Sequence, residues 1–182
     1  GLNHARNRAV AESRFPLLAM LDDDVWVAPG WLKGLLETYQ ATPASIVAGH
    51  IELWWEAVAR PNWLTPGIEM TLSCLDRGPQ VVELHQPDAI GANFSFRREV
   101  FDKVGPFAAG LGRVGSALLS GEETLFTRRA MQSGFRLFYS PAASIKHWVA
   151  PHRVQAPYLT GVAFGNAYSI LRIKDRFGPI DA

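Results

Sequence analysis

The sequence predicts an α/β fold, and two features predict it. The apolar run at 15–21 ends abruptly in Asp22, Asp23 and Asp24, as a buried strand does where it emerges at the carboxyl edge of an open sheet. A helical stretch and then a β-branched, apolar stretch follow it. Strand, helix and strand in that order imply a parallel crossover. At 182 residues the chain is long enough for one domain with a substantial core and short for two.

Residues 5–14 favour a short helix through their alanines and arginines. The strand to the aspartates comes next. Pro29 suits the approach to a helix at 31–39, where Trp31, Leu32, Leu35, Leu36 and Tyr39 recur at helical spacing. Residues 45–53 read as a second strand. Residues 54–79, with Trp54, Trp55, Trp63 and several prolines, form a long irregular excursion, too aromatic for disorder. Residues 81–84 make a short strand and 91–96 another, alternating small or polar with aromatic side chains, which runs into a helix at 97–104. Gly105-Pro106 stops that helix, and the Gly-rich stretch 108–120 reads as a mobile loop. A helix from Ser120-Gly-Glu-Glu123 through Met131 closes at Gly134, and two short strands flank Pro141.

Residues 154–171 carry no charge. Their length admits a membrane span, but Gln155, Pro157, Asn166, Ser169 and two glycines make them weakly apolar. A helix docked on the domain, or one lying at a membrane surface with Arg172, Lys174 and Arg176, fits them better. Residues 1–153 are therefore expected to form the domain and 154–182 a C-terminal helical extension.

A net charge of +1 with no dense basic stripe argues against a nucleic-acid partner. Cys74 is the single cysteine, which rules out an internal disulfide and fits a reducing cytoplasm or the inner face of the cell membrane. The sequence opens Gly1-Leu-Asn-His4 without a methionine, and one strand precedes the aspartates, which reads as a fold entered midway.

Side chains alternate along a strand, so Asp22 and Asp24 would share a face with Asp23 opposite. Two carboxylates that close repel, and a divalent cation relieves them. A plain Asp-rich turn is the alternative.

Four pieces in order resemble the family 2 glycosyltransferases of the GT-A fold. Gly1-Leu-Asn-His-Ala-Arg-Asn7 resembles the family's G-x-s-x-A-R-N, and Met20-Leu-Asp-Asp-Asp24 its DxD strand end. Residues 91–107, from Gly91-Ala-Asn-Phe-Ser-Phe onward, resemble its acceptor-side strand and helix. Gly121-Glu-Glu with Arg129, then Gly134-Phe with Pro141 and His147, resembles its G-E-D…R, G-Y…P and closing histidine. The resemblance implies a Rossmann-like GT-A domain with a mixed, mostly parallel sheet. It also implies that the first strands, which help seat base and ribose, are missing from this fragment.

The activity implied is metal-dependent, inverting transfer of a sugar from a nucleotide-diphosphate sugar, a UDP-sugar foremost, to a hydroxyl of a glycan or lipid-linked acceptor. A non-catalytic nucleotide-sugar or glycan-binding domain of the same fold is the rival. The resemblance gives Asp24 as a direct ligand of Mn²⁺ or Mg²⁺, Asp22 as a ligand through water or a ribose contact, and His147 as the third protein ligand. Packing between Lys146 and Trp148 is the alternative for His147. It gives Glu123 as general base, with Glu122 the alternative. Locally, Ser120-x-x-Glu123 is also a capping-box pattern that would occupy Glu123 structurally. Arg6, Asn7, Asp22 and Asp23 fall at nucleotide-side positions, and His152 and Arg153 within reach of the diphosphate. Trp54, Trp55 and Asn93 are the acceptor-contact candidates, with ordinary core packing the alternative for the tryptophans.

Overall fold

The computed structural model describes residues 1–113 and 118–178. The order of elements is α1 (Leu2–Glu12), β1 (Leu17–Leu21), β2 (Val25–Val27), α2 (Trp31–Ala41), β3 (Ile46–Trp54), α3 (Pro66–Thr71), β4 (Val82–Leu84), β5 (Asn93–Arg97), α4 (Arg98–Val104), α5 (Glu122–Gln132), β6 (Leu137–Trp148) and α6 (Ala156–Phe177). A 3-10 turn, Pro151–Val154, joins β6 to α6. Part of the stretch read as a mobile loop, residues 114–117, lies outside the described residues.

The strands form one sheet in the order β1-β5-β3-β6-β2, with β4 also paired to β6. The sheet is mixed, as expected, but the balance differs. Among the described residues only β3 and β6 pair in parallel, and the other four pairings are antiparallel. The crossover through α2 does make β1 and β3 parallel in direction. However, β5 lies between them, antiparallel to both, and no local pattern announces that insertion. The two strands expected around Pro141 are one long β6, with a register shift opposite Gly49 and Ile51 absorbing the irregularity.

The alternation seen along β5 sorts its side chains onto two layers. Phe94 and Phe96 face one side and join Phe107 and Phe126, whose rings stack at 4.5 Å, with Val10, Val100 and Ala130 from α1, α4 and α5. Asn93 and Ser95 face the other side, where α2 packs. Ser95 shares a 3.0 Å hydrogen bond with Tyr39, and Leu35 and Tyr39 meet Val47, Phe138 and Ala143. The central strand β3 is covered on both faces, which explains its run of apolar residues.

The excursion after β3 is ordered around Leu53, Leu64, Leu72 and Val149. Helix α6 turns Val162 and Ile173 inward, Ile173 against Leu111 and Leu125. Ser120 fastens α6, donating Oγ–H to Asn166 Oδ1 at 2.7 Å and N–H to Ser169 Oγ at 3.0 Å. No helix among the described residues is long and apolar enough to cross a membrane.

Candidate active site

Strand β1 ends at Leu21 and the chain turns through Asp22, Asp23 and Asp24 into β2. Pairing of β2 with β6 sets Val25 opposite His147, and Trp148 N–H donates to the Asp24 carbonyl at 3.0 Å. This register brings the aspartates to the histidine. One ligand atom each from Asp22, Asp24 and His147 lie within 4.8 Å of one another. The convergence comes from a turn rather than from strand alternation.

His147 is buried, and its Nδ1 lies 3.1 Å from the Leu72 carbonyl, which accepts only if Nδ1 carries the proton. Nε2 then offers its lone pair 3.2 Å from Asp24 Oδ1. A backbone carbonyl fixing the tautomer of a ligating histidine is the usual support of a metal site. Arg153, from the 3-10 turn, donates to Asp24 Oδ2 at 3.0 Å and lies 3.5 Å from His147 Nε2. With a proton on Nε2 as well, the imidazole bonds Asp24 instead of offering a lone pair. That contact is the foremost cause holding the Asp24 carboxyl below the usual range, with the Arg153 charge also lowering it. Burial pushes Asp22 upward, against the pull of Arg6. Two carboxylates and one imidazole lone pair in this cluster fit a divalent cation.

These residues border a cleft of about 700 Å³, which also takes in Asp23, Arg6, Glu122 and Glu123. The glutamates open α5, where the helix N-terminus favours negative charge. Gly121 is the N-cap, in left-handed conformation, and no side chain caps the helix. The capping box is therefore not formed. Glu123 Oε1 instead accepts the Gly91 N–H at 3.3 Å, while its buried Oε2 has no hydrogen-bond partner. Burial first, and the charge of Glu122 second, raise the Glu123 carboxyl to about 7, with Arg6 opposing.

Arg6 is only 6% exposed. It donates from Nη1 to Glu122 Oε1 at 3.0 Å, and its Nη2 lies 3.9 Å from Asp22 Oδ1. The cleft thus holds a cluster able to take a cation and an acid pair, with a buried guanidinium between Glu122 and Asp22.

Other candidates lie elsewhere. Asn7 uses its side-chain amide on the Phe107 backbone, donating at 3.0 Å and accepting at 2.9 Å, and does not line the cleft. Asn93 is 2% exposed and saturated: Nδ2 donates to the His50 and Ala143 carbonyls, and Oδ1 accepts the Trp31 indole N–H. It acts here as a structural pin between the sheet and α2. Trp55 packs on the Leu53–Val149 cluster, and Trp54 ends β3 opposite Trp148; neither lines the cleft. His152 rests edge-on against Tyr158 at 5.3 Å, away from the cleft. The Leu72 carbonyl was missed because any residue carries one, and the Arg6–Glu122 pair because its partners are far apart in the sequence.

The family model described as Glycosyl transferase family 2 matches residues 1–105. The chain is 27% identical over 181 residues to the glucosyl-dolichyl phosphate glucuronosyltransferase of Haloferax volcanii, covering 98% of this chain and 57% of that protein. It is 31% identical over 157 residues to the succinoglycan biosynthesis protein ExoM of Rhizobium meliloti, covering 85% of this chain and 47% of that one. The chain thus spans about half the length of these curated relatives. The crystal structure of GalNAc-T7 with UDP, GalNAc and Mn²⁺ superposes with a TM-score of 0.57, at 20% identity, over 87% of this chain and 34% of that one. That likeness is one of fold, the GT-A arrangement. With more than half of its length matched by the family model, the chain belongs to glycosyl transferase family 2.

Proposed function

We propose that this chain carries the reaction centre of a metal-dependent, inverting glycosyltransferase that moves a sugar from a nucleotide-diphosphate donor to an acceptor hydroxyl. The observation that carries the reading is the shared cleft, with Asp22, Asp24 and His147 at one wall and Glu123 at another. A binding module has no use for a carboxyl raised to about 7 beside a cation cluster.

Asp22, Asp24 and His147 would hold the cation, with Mn²⁺ favoured over Mg²⁺ by the imidazole. When bound, such an ion neutralises charge on the leaving diphosphate. Arg153, beside Asp24, adds positive charge on the same side. Asp23, exposed at the cleft, would face the nucleotide, and Asp22 would reach the cation through water or hold the ribose. Glu123 takes the proton of the acceptor hydroxyl as that oxygen bonds to the anomeric carbon. The bond to the diphosphate breaks on the opposite face, so the configuration inverts.

A UDP-sugar is the first donor to test, since the GalNAc-T7 structure has UDP bound. A lipid-linked or polysaccharide acceptor agrees with what the relatives are named for. The outer face of α6 supports a peripheral membrane contact. Phe164 is 72% and Leu171 64% exposed, with Arg172, Lys174 and Arg176 beyond them. The test of the whole reading is a screen of nucleotide sugars with isoprenoid-phosphate-linked acceptors, read by release of nucleoside diphosphate and by the anomeric configuration of the product. A product that retains the donor's configuration contradicts the mechanism.

A further inference from the structure

We infer that Glu122 is a positioning residue, the counter-anion that holds Arg6 away from Asp22 so that this carboxylate stays free for the cation. The inference rests on the metal reading above. A guanidinium does not give up its proton in a protein, so a buried Arg6 must face an anion. Two carboxylates are within reach. Glu122 has it, with Oε1 at 3.0 Å from Nη1, while Asp22 stands back at 3.9 Å from Nη2.

The arrangement is caged. A Cβ at Gly91 would come within 2.3 Å of Arg6 Nη2, and a Cβ at Gly112, where φ is +76°, within 2.8 Å of Glu122 Cδ. The Arg6 guanidinium lies 5.8 Å from the centre of the Phe107 ring, which closes another side. The N-terminal turn of the eleven-residue helix α5 adds its own attraction for the Glu122 charge. Glu122 is thus the better-held partner, and its engagement with Arg6 leaves Glu123 as the carboxyl available to accept a proton.

Neutralising Glu122 reverses the assignment. The nearest remaining anion for Arg6 is Asp22, and a guanidinium paired there competes with a divalent cation for the same oxygen. Removing Arg6 and Glu122 together removes the competitor as well as its keeper. Removal of the acid alone and removal of the pair therefore have opposite consequences at the cation cluster.

The test titrates Mn²⁺ into the full chain and follows the free ion by its paramagnetic resonance signal. Glu122→Gln is expected to weaken Mn²⁺ binding by about tenfold or more, the range for loss of groups that support metal ligands. The double variant Arg6→Met/Glu122→Met, an apolar pair of similar bulk, is expected to restore native affinity. Native affinity in Glu122→Gln overturns the inference. So does a double variant as weak as Glu122→Gln, which would show that Arg6 orients Asp22 instead. Should Glu122→Gln not fold, the double variant decides alone, and lost Mn²⁺ affinity there overturns the inference. Failure of the native chain to bind Mn²⁺ overturns the metal reading itself, and this inference with it.

Discussion

Asp24 Oδ1 and His147 Nε2 meet at 3.2 Å because β2 pairs with β6 at Val25 and His147. The Leu72 carbonyl takes the other imidazole nitrogen, so the lone pair is aimed at the aspartates. His147→Ala and Asp24→Asn should each weaken Mn²⁺ binding by more than about 100-fold, because each removes a ligand itself rather than its support. Calorimetric titration of Mn²⁺ checks this. Chelation should abolish transfer, and added Mn²⁺ should restore it.

Glu123 accepts a proton only when ionised, and its carboxyl is raised to about 7. The ionised fraction therefore falls as pH drops through 7, and turnover should fall tenfold per pH unit below it. Above 7 this group should cause no further change. Glu123→Gln should lower turnover by about 10²–10⁴-fold, erase that acid limb and leave Mn²⁺ affinity intact. An unaltered limb in the variant would assign it to another group.

Asn93 is held by three hydrogen bonds inside the sheet and toward α2. Asn93→Ala leaves the His50 and Ala143 carbonyls and the Trp31 indole without that partner. The expected cost is about 2–4 kcal/mol of unfolding free energy, as buried polar groups lose their bonds. Denaturant unfolding measures it. The acceptor KM of the folded variant should stay native, as a pin rather than a contact requires.

Much of this organisation was legible in local pattern, and the parts that were not share a cause. Of the helical spacing from Trp31 to Tyr39, Leu35 and Tyr39 are buried while Leu32 and Leu36 stay exposed, because α2 packs through one narrow face. The alternation at Phe94 and Phe96 reports its layer directly. The aspartates at the end of β1 and the glutamates at the start of α5 stood out by charge at element ends. Strand order did not, since the insertion of β5 between β1 and β3 depends on long-range pairing. The same holds for Arg6. Its motif suggested a nucleotide contact, but nothing local announced its burial or its pairing with Glu122, far away in sequence. Asn93 and Trp55 show why such readings stay open: polar and aromatic side chains suit a ligand and packing equally well, and here Asn93 is buried and Trp55 rests half-buried on the Leu53–Val149 cluster.

On the outer face of α6, Phe164 and Tyr168 stack with ring centres 6.4 Å apart, and Arg172 lies 5.7 Å from the Tyr168 ring centre. An aromatic face ending in cations suits the boundary of an anionic bilayer. Flotation with vesicles rich in phosphatidylglycerol should carry the protein, and purely zwitterionic vesicles should carry less. Phe164→Ser/Leu171→Ser should lower the bound fraction severalfold without changing Mn²⁺ affinity. Equal flotation of variant and native protein would rule this face out.

If the Asp22–Asp24–His147 cluster seats the donor's diphosphate, UDP binding depends on the cation. The most direct measurement is calorimetric titration of UDP into the chain with and without Mn²⁺, repeated in Asp24→Asn. Mn²⁺ is expected to raise UDP affinity by at least about tenfold, equivalent to 1.4 kcal/mol, and Asp24→Asn to abolish the gain. UDP affinity indifferent to Mn²⁺, or a gain that survives in Asp24→Asn, would contradict it.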